Sequence, residues 1–169
     1  HVGSLKENTI EEVWRDKPMQ TMRDNMLANK PCKECTKCYE QEKSGFFSMR
    51  NSSNQTFGHY IKETLTSSEL KIRYYDIRFS NLCNFRCRSC GDIFSSNWTK
   101  EYKQYGWLPK DAPNVTYAGR YKTDIWEQTL PHIPYFQEVY FAGGEPLMMQ
   151  EHWDLLDELL RQDRTDVKL

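Results

Sequence analysis

Residues 80–91 read Ser-Asn-Leu-Cys-Asn-Phe-Arg-Cys-Arg-Ser-Cys-Gly, which sets Cys83, Cys87 and Cys90 at CX3CX2C spacing directly after a strand-like run from Lys71 to Phe79. Three thiols on so short a loop form a metal site that is one ligand short. They can hold three corners of a four-iron cluster, because such clusters take cysteine thiolates and normally use four. The remaining corner is then open to a substrate or cofactor, as a catalytic metal site keeps a position open where a structural one closes it.

Two other uses of the cysteines have to be weighed. Cys87-x2-Cys90 and Cys35-x2-Cys38 together make the paired CX2C pattern of zinc modules. The stretch between the pairs is far longer than in a zinc ribbon, however, and Cys83 would have no role. A disulfide framework is the second use. The chain has six cysteines, an even number, and Asn51, Asn54, Asn97 and Asn114 each open an N-x-[ST] match. No signal peptide accompanies them, so the matches are read as chance. Thiols grouped in triplets without an export signal fit a reducing compartment, and a cytoplasmic location is expected.

Length and charge narrow the field further. At 169 residues there is room for one moderate domain, or for a small domain and part of another. A formal net charge of −1 gives no bulk electrostatic case for nucleic acid or an anionic membrane surface. No apolar stretch approaches the roughly 18 to 20 residues of a membrane span. A soluble chain with neither partner is expected. Both ends look cut: the first residue is His1 rather than Met, and the last three, Val167-Lys168-Leu169, are a β-type run that is not finished. A fragment of a longer protein is therefore expected.

Along the chain, Asn8 or Thr9 can cap a helix that begins with Ile10, Glu11 and Glu12. Pro18 starts a second helix, whose Met19, Met22, Met26 and Leu27 keep one apolar face and are expected to pack as core, and Asn29-Lys30-Pro31 ends it. A second cysteine triplet follows, Cys32, Cys35 and Cys38 at CX2CX2C spacing, leading into a helix expected from Tyr39 to about Asn51. Residues 51–70, rich in Ser, Thr and Asn, read as a connection with a short helix near His59 to Leu65. From Lys71 the pattern is strand, then a helix from Ser95 to Tyr105, then a long loop over 106–121 containing Trp107, Tyr117 and Tyr121. A helix over Thr123 to Leu130, a strand over Phe136 to Phe141 and an amphipathic helix over Trp153 to Leu160 complete the order of a parallel α/β sheet. The strand at Phe136 to Phe141 runs into Ala142-Gly143-Gly144-Glu145-Pro146. Glycines let a backbone approach a ligand closely, and a glutamate can accept a charge-assisted hydrogen bond from an ammonium.

Cys83, Cys87 and Cys90 after a first strand, with Gly143-Gly144-Glu145-Pro146 after a second, resemble the radical S-adenosylmethionine superfamily. The resemblance covers about residues 71–169 and implies the first half of a partial (β/α)6 barrel, preceded by a small, mainly helical cysteine-containing region. It implies that the three cysteines ligate a [4Fe-4S] cluster whose unique iron binds the amino and carboxylate groups of S-adenosylmethionine. Gly143, Gly144, Glu145 and Pro146 would then hold the methionyl amino group. Phe85 fills a position where the family carries an apolar residue. Ser89 stands where an aromatic residue often lies near the adenine, which puts the adenine contact at that position in doubt.

The amino-terminal part, with Cys35-x2-Cys38-Tyr39 and the helices before it, looks like the auxiliary-cluster region called a twitch or SPASM-like domain, here preceding the barrel as in a phage-type group of the superfamily. That resemblance implies an auxiliary iron–sulfur cluster on Cys35 and Cys38 with Cys32 as a third ligand; free or zinc-bound thiols remain the alternative. The implied domains are 1–58 for the auxiliary region, 59–70 for a linker and 71–169 for the barrel half. The implied chemistry is reductive cleavage of S-adenosylmethionine to methionine and a 5′-deoxyadenosyl radical that abstracts hydrogen from an unknown, peptidyl substrate. An electron donor such as flavodoxin or ferredoxin would serve it, and no side chain is assigned a catalytic role. The isolated fragment is expected to turn over poorly. A non-catalytic zinc- or iron–sulfur-binding interaction module is the competing expectation.

Overall fold

The computed structural model describes residues 3–67 and 69–169. His1 and Val2 of the expected auxiliary region, and Ser68 of the expected linker, lie outside the described residues. The chain divides into two compact units. One holds the described residues up to Leu70 other than Leu5–Glu7; the other holds Lys71–Leu169 together with Leu5–Glu7.

In the first unit, α1 (Ile10–Arg15) starts at Thr9, whose side chain accepts the Glu12 N–H while Glu12 reaches back to the Thr9 N–H. This is a reciprocal capping box that satisfies two otherwise orphaned donors. Asp16 ends α1 in an extended conformation and caps α2 (Lys17–Leu27), in which Pro18 occupies the first turn. The methionine face does not become core. Met26 and Leu27 are exposed, and α2 buries none of its residues. The two helices meet instead through Trp14 and Arg23: the guanidinium lies 3.8 Å from the indole centroid and donates to Trp14 O at 2.8 Å.

The helix expected from Tyr39 to Asn51 is two helices, α3 (Thr36–Lys43) and α4 (Met49–Phe57). Gly45 adopts φ 81° and the Phe46 N–H closes back on Gln41 O at 2.9 Å, a left-handed helix stop that favours glycine. Ser48 then restarts the helix with a capping box to Asn51. The first part of the segment read as a connection is therefore helical, in α4, and the short helix expected near His59 to Leu65 is present as α5 (Ile61–Thr66), entered through a 3-10 turn over Gly58–Tyr60.

In the second unit, β1 (Tyr74–Ile77) and β2 (Glu138–Phe141) pair in parallel, with Tyr74 opposite Glu138 and Ile77 opposite Phe141. Both strands are shorter than the sequence suggests, because a ladder lasts only where both partners are extended. A parallel bridge joins Lys168 to Glu138, with the Val139 N–H donating to Lys168 O at 2.8 Å and the Lys168 N–H to Gln137 O at 3.0 Å. Tyr75, Ile77 and Phe79 point into the core while Tyr74, Asp76 and Arg78 point out, the period of two that a strand with one covered face requires. α6 (Ser96–Gln104) and α7 (Asp124–Thr129) lie on the crossover between the strands, and α8 (Gln150–Arg161) follows β2. Ile125, Ile133, Phe136, Val139, Leu155 and Leu159 fill the core. Tyr75 is buried, stacks on Phe136 at 4.9 Å and bonds to the Thr129 hydroxyl, and burial pushes its phenol up to about 12.

Part of the long loop is tied to the segment that follows β1. The Asn81 N–H donates to Thr116 O, the Ala118 N–H donates to Phe79 O, and Ser80 and Tyr117 form an antiparallel bridge. Trp107 and Tyr121 remain exposed. Among the described residues, no helix is long and apolar enough to cross a membrane.

Candidate metal centre

The thiol loop leaves the carboxyl end of β1, and its backbone is pinned by residues flanking it. Asn81 is the hub of that support, with only 2 % of its surface exposed. Its side-chain amide donates to Asp92 O at 2.9 Å, its side-chain carbonyl accepts the Thr116 N–H at 2.8 Å, and its backbone carbonyl accepts the Ser96 N–H at 2.7 Å. Both ends of the loop and the 116 segment are thereby fixed to one buried residue. The start of α6 holds the loop itself. The Cys83 N–H donates to Ser96 Oγ at 3.1 Å, the Ser95 hydroxyl donates to Phe85 O at 2.7 Å, and the Trp98 indole N–H donates to Cys87 O at 3.1 Å. Ser95 sits where a helix cap would use its hydroxyl on the helix, yet that hydroxyl serves the loop.

None of these supporting residues stands out in the sequence. Asn81, Ser95 and Ser96 are ordinary turn and cap residue types, and Trp98 reads as one aromatic on a helix. Their adjacency to the cysteine loop was the one available signal.

The three cysteines are free thiols, Cys83 and Cys90 half-buried and Cys87 exposed. The Phe85 N–H donates to Cys83 Sγ at 3.3 Å, and the Cys90 N–H to Cys87 O at 3.0 Å. Among the described residues no three His, Cys, Asp or Glu side chains converge as a set able to hold a metal ion. The loop therefore brings the three thiols onto one pinned backbone but not to one focus. Phe85 and Ser89 are both exposed beside them.

The Gly143-Gly144-Glu145-Pro146 turn at the carboxyl end of β2 docks on the segment that leads into this loop. The Gly144 N–H donates to Ser80 O at 3.3 Å and the Glu145 N–H to Leu82 O at 2.8 Å. A Cβ at Gly144 would stand 2.0 Å from Leu82 O, and at Gly143, where φ is 102°, one would stand 2.9 Å from Ser80 O. The close approach that these glycines allow is thus taken up by the chain itself. One task of these glycines is therefore to join the two motifs. Glu145 is half-exposed and its carboxylate accepts the Leu147 N–H at 3.3 Å, at the head of a 3-10 turn over Pro146–Met148. A cavity of 260 Å³ lies at the same ends of the two strands, lined by Ser80, Leu82, Tyr117, Met148, Glu151 and Trp153 among others. Ligands of open α/β sheets are found in that position.

His152 lies behind the turn, 8 % exposed, with its ring 4.2 Å from Phe141 and its Nδ1 buried without a hydrogen-bond partner. Burial holds the imidazole below its ordinary value of 6.5, opposed by the nearby Glu145 carboxylate. The unfolded chain then takes up the proton more readily than the folded one. Stability contributed by the neutral ring is full above the unfolded value and is lost as pH falls below it. The melting temperature is expected to drop from about pH 7.5 to about pH 5.5, and His152→Phe to flatten that slope. An unchanged slope in His152→Phe would contradict it.

In the first unit, Cys32 is 3 % exposed and its thiol donates to Met22 O at 3.6 Å and Lys30 O at 3.8 Å. Burial pushes this thiol up, with the neighbouring Cys35 and Glu34 adding to the effect. Cys35 ends a 3-10 turn and Cys38 lies in α3, both half-buried and free. The amino-terminal triplet thus divides into one enclosed thiol and two accessible ones.

Residues 1–39 match the family model of the SPASM iron–sulfur cluster-binding domain. No curated protein and no solved structure matches the chain.

Proposed function

We propose that the chain is part of a radical S-adenosylmethionine enzyme of the phage type, with an amino-terminal SPASM-like auxiliary region over residues 1–58, a linker over 59–70 and the first half of a partial (β/α)6 barrel over 71–169. The observation that carries the proposal is the docking of two motifs about 60 residues apart in sequence. Three free thiols at CX3CX2C spacing leave the end of β1, and the glycine turn that ends β2 is bonded to the residue before the first of them. The match over residues 1–39 adds a region of the kind that binds iron–sulfur clusters, and such regions accompany radical S-adenosylmethionine enzymes.

The donor set fits the group. Thiolates are the ligands that iron–sulfur clusters take, and three of them leave one iron free. Cys83, Cys87 and Cys90 would hold a [4Fe-4S] cluster, and Cys35 and Cys38, with Cys32, an auxiliary one. When bound, the cluster and S-adenosylmethionine supply the reductive cleavage that begins hydrogen abstraction from a substrate. The chain's residues position these groups. The α6 residues fix the thiol loop, the Gly143–Gly144 turn sets Glu145 and Pro146 beside it for the methionyl amino group, and Phe85 and Ser89 flank the loop. The substrate is a peptide or protein, the electron donor is of the flavodoxin or ferredoxin kind, and the setting is the cytoplasm.

A second reading, a zinc- or iron–sulfur-binding interaction module without catalysis, draws on one observation: the Glu145 carboxylate caps an ordinary turn. Equilibrium binding of S-adenosylmethionine separates the two. Protein reconstituted anaerobically with iron and sulfide is expected to bind the cofactor, and iron-free protein is not. Equal binding by both forms, or none by either, would remove the enzyme reading.

A further inference from the structure

The Cys87 carbonyl carries two hydrogen bonds. It accepts the Cys90 N–H at 3.0 Å, which closes the turn between the second and third cysteines, and the Trp98 indole N–H at 3.1 Å. A carbonyl offers two lone pairs, so its capacity is filled. Trp98 is in turn held by rings: its centroid is 5.7 Å from that of Tyr102, which meets Trp107 edge-on at 5.2 Å. The Tyr102 hydroxyl lies 3.7 Å from where a Cβ at Gly91 would stand, next to Cys90. This face of α6 therefore frames Cys87–Gly91.

Residues 84–89 are all exposed; the Ser95 hydroxyl holds Phe85 O at 2.7 Å and the Glu101 carboxylate accepts from Arg86 at 2.9 Å, both ahead of the turn between Cys87 and Cys90. The direction in which Cys87 and Cys90 present their sulfurs depends on what grips the turn between them. Cys83 has its own grip, since Ser96 Oγ accepts its N–H at 3.1 Å and donates to its carbonyl at 3.2 Å. For the other two thiols the side-chain grip on the turn is the Trp98 indole. Resting on the reading that Cys83, Cys87 and Cys90 hold an iron–sulfur cluster, we infer that Trp98 is a positioning residue of that site. Its N–H fixes the Cys87–Cys90 turn, so the loop reaches ligand geometry by side-chain rotation on a set backbone. Residues that orient a metal ligand without touching the metal change metal affinity about 10- to 100-fold when lost, and Trp98 acts on the backbone that carries the thiols.

Trp98→Phe tests this, because it keeps a ring against Tyr102 and deletes only the N–H donor. The full chain is loaded anaerobically with iron and sulfide, and two quantities are read: the rate at which a chelator strips the iron, and the midpoint potential of the cluster. The iron that Cys83→Ala fails to take up defines the share held by this loop. Stripping of that share is expected to be about tenfold faster in Trp98→Phe, with a shifted potential. Trp107→Phe is expected to match the wild type, and Trp98→His, which keeps a ring N–H, to recover the slow rate. Wild-type stripping and potential in Trp98→Phe would overturn the inference while leaving the cluster reading intact. Failure of the wild type to load any iron that depends on Cys83 would overturn both. If Trp98→Phe does not fold, hydrogen exchange on the wild type decides: iron loading is expected to slow exchange of the Trp98 indole N–H and not that of Trp107, and equal effects would overturn the inference.

Discussion

Cys83→Ala is expected to abolish the S-adenosylmethionine-responsive cluster altogether while leaving the fold and any iron on Cys32, Cys35 and Cys38 in place. The size of the effect follows from how the residue is held. Its N–H and carbonyl are both bonded to Ser96 Oγ, which fixes the backbone from which its thiol projects. The residues that flank it, Leu82 and Asn84, carry no metal-ligating sulfur. A cluster left with two thiolates on this loop loses one of three protein corners and is not retained. Iron and sulfide content, read beside the circular dichroism spectrum, checks this. Unchanged cofactor-responsive iron in Cys83→Ala would leave the three-thiol site without support, and a zinc or two-cysteine arrangement would take its place.

Gly144→Ala is expected to give the largest loss of stability in the second unit. The added Cβ would stand 2.0 Å from Leu82 O, 2.6 Å from Leu82 C and 2.8 Å from Asn81 C. All three are backbone atoms, so no rotamer change relieves the contact, and the turn has to separate from the segment that feeds the thiol loop. A cost of about 3 kcal/mol is expected, the upper end of the usual overpacking range. Gly45→Ala is the matched control. Gly45 has φ 81° but nothing within 4 Å of the added atom, so only the left-handed conformation is penalised, at about 1 kcal/mol. Urea unfolding of the two variants measures both. Equal losses would mean that the turn and the loop are not in contact as described. Because Leu82 immediately precedes Cys83, Gly144→Ala is also expected to weaken cluster retention, although the substituted residue touches no thiol.

The strand from Lys71 was legible because Ile72, Tyr74, Asp76 and Arg78 alternate, imperfectly, with Tyr75, Ile77 and Phe79; which set is covered came from the structure, which buries Tyr75, Ile77 and Phe79. The thiol loop and the glycine turn were legible as motifs because their residue types are rare and their spacing is short. A parallel sheet was legible from the order of elements, but the direct hydrogen bonds between the two motifs were not, since they depend on the close backbone approach at Gly143 and Gly144. The apolar face of α2 misled because periodicity reports that a face exists and not what covers it; Met26 and Leu27, on the last turn, are exposed. The helix through Tyr39 was overextended although Gly45, between polar Gln41–Ser44 and Phe46-Phe47, is a stop signal of the ordinary kind, and Ser48 is a cap for the next helix. Ser95, Ser96 and Trp98 were passed over for another reason. Serines at a helix start suggest caps, and only the folded backbone reveals that their hydroxyls are spent on the loop.

Electron paramagnetic resonance of the anaerobically reconstituted, reduced protein, recorded with and without S-adenosylmethionine, tests the proposed enzyme most directly. A [4Fe-4S] signal that changes when the cofactor is added, and whose cofactor response is lost in Cys83→Ala, is the expected result, because three thiolates leave one iron open to a ligand. Bound zinc in place of iron, or a cluster signal indifferent to the cofactor, would contradict it and make the chain a metal-binding module without this chemistry.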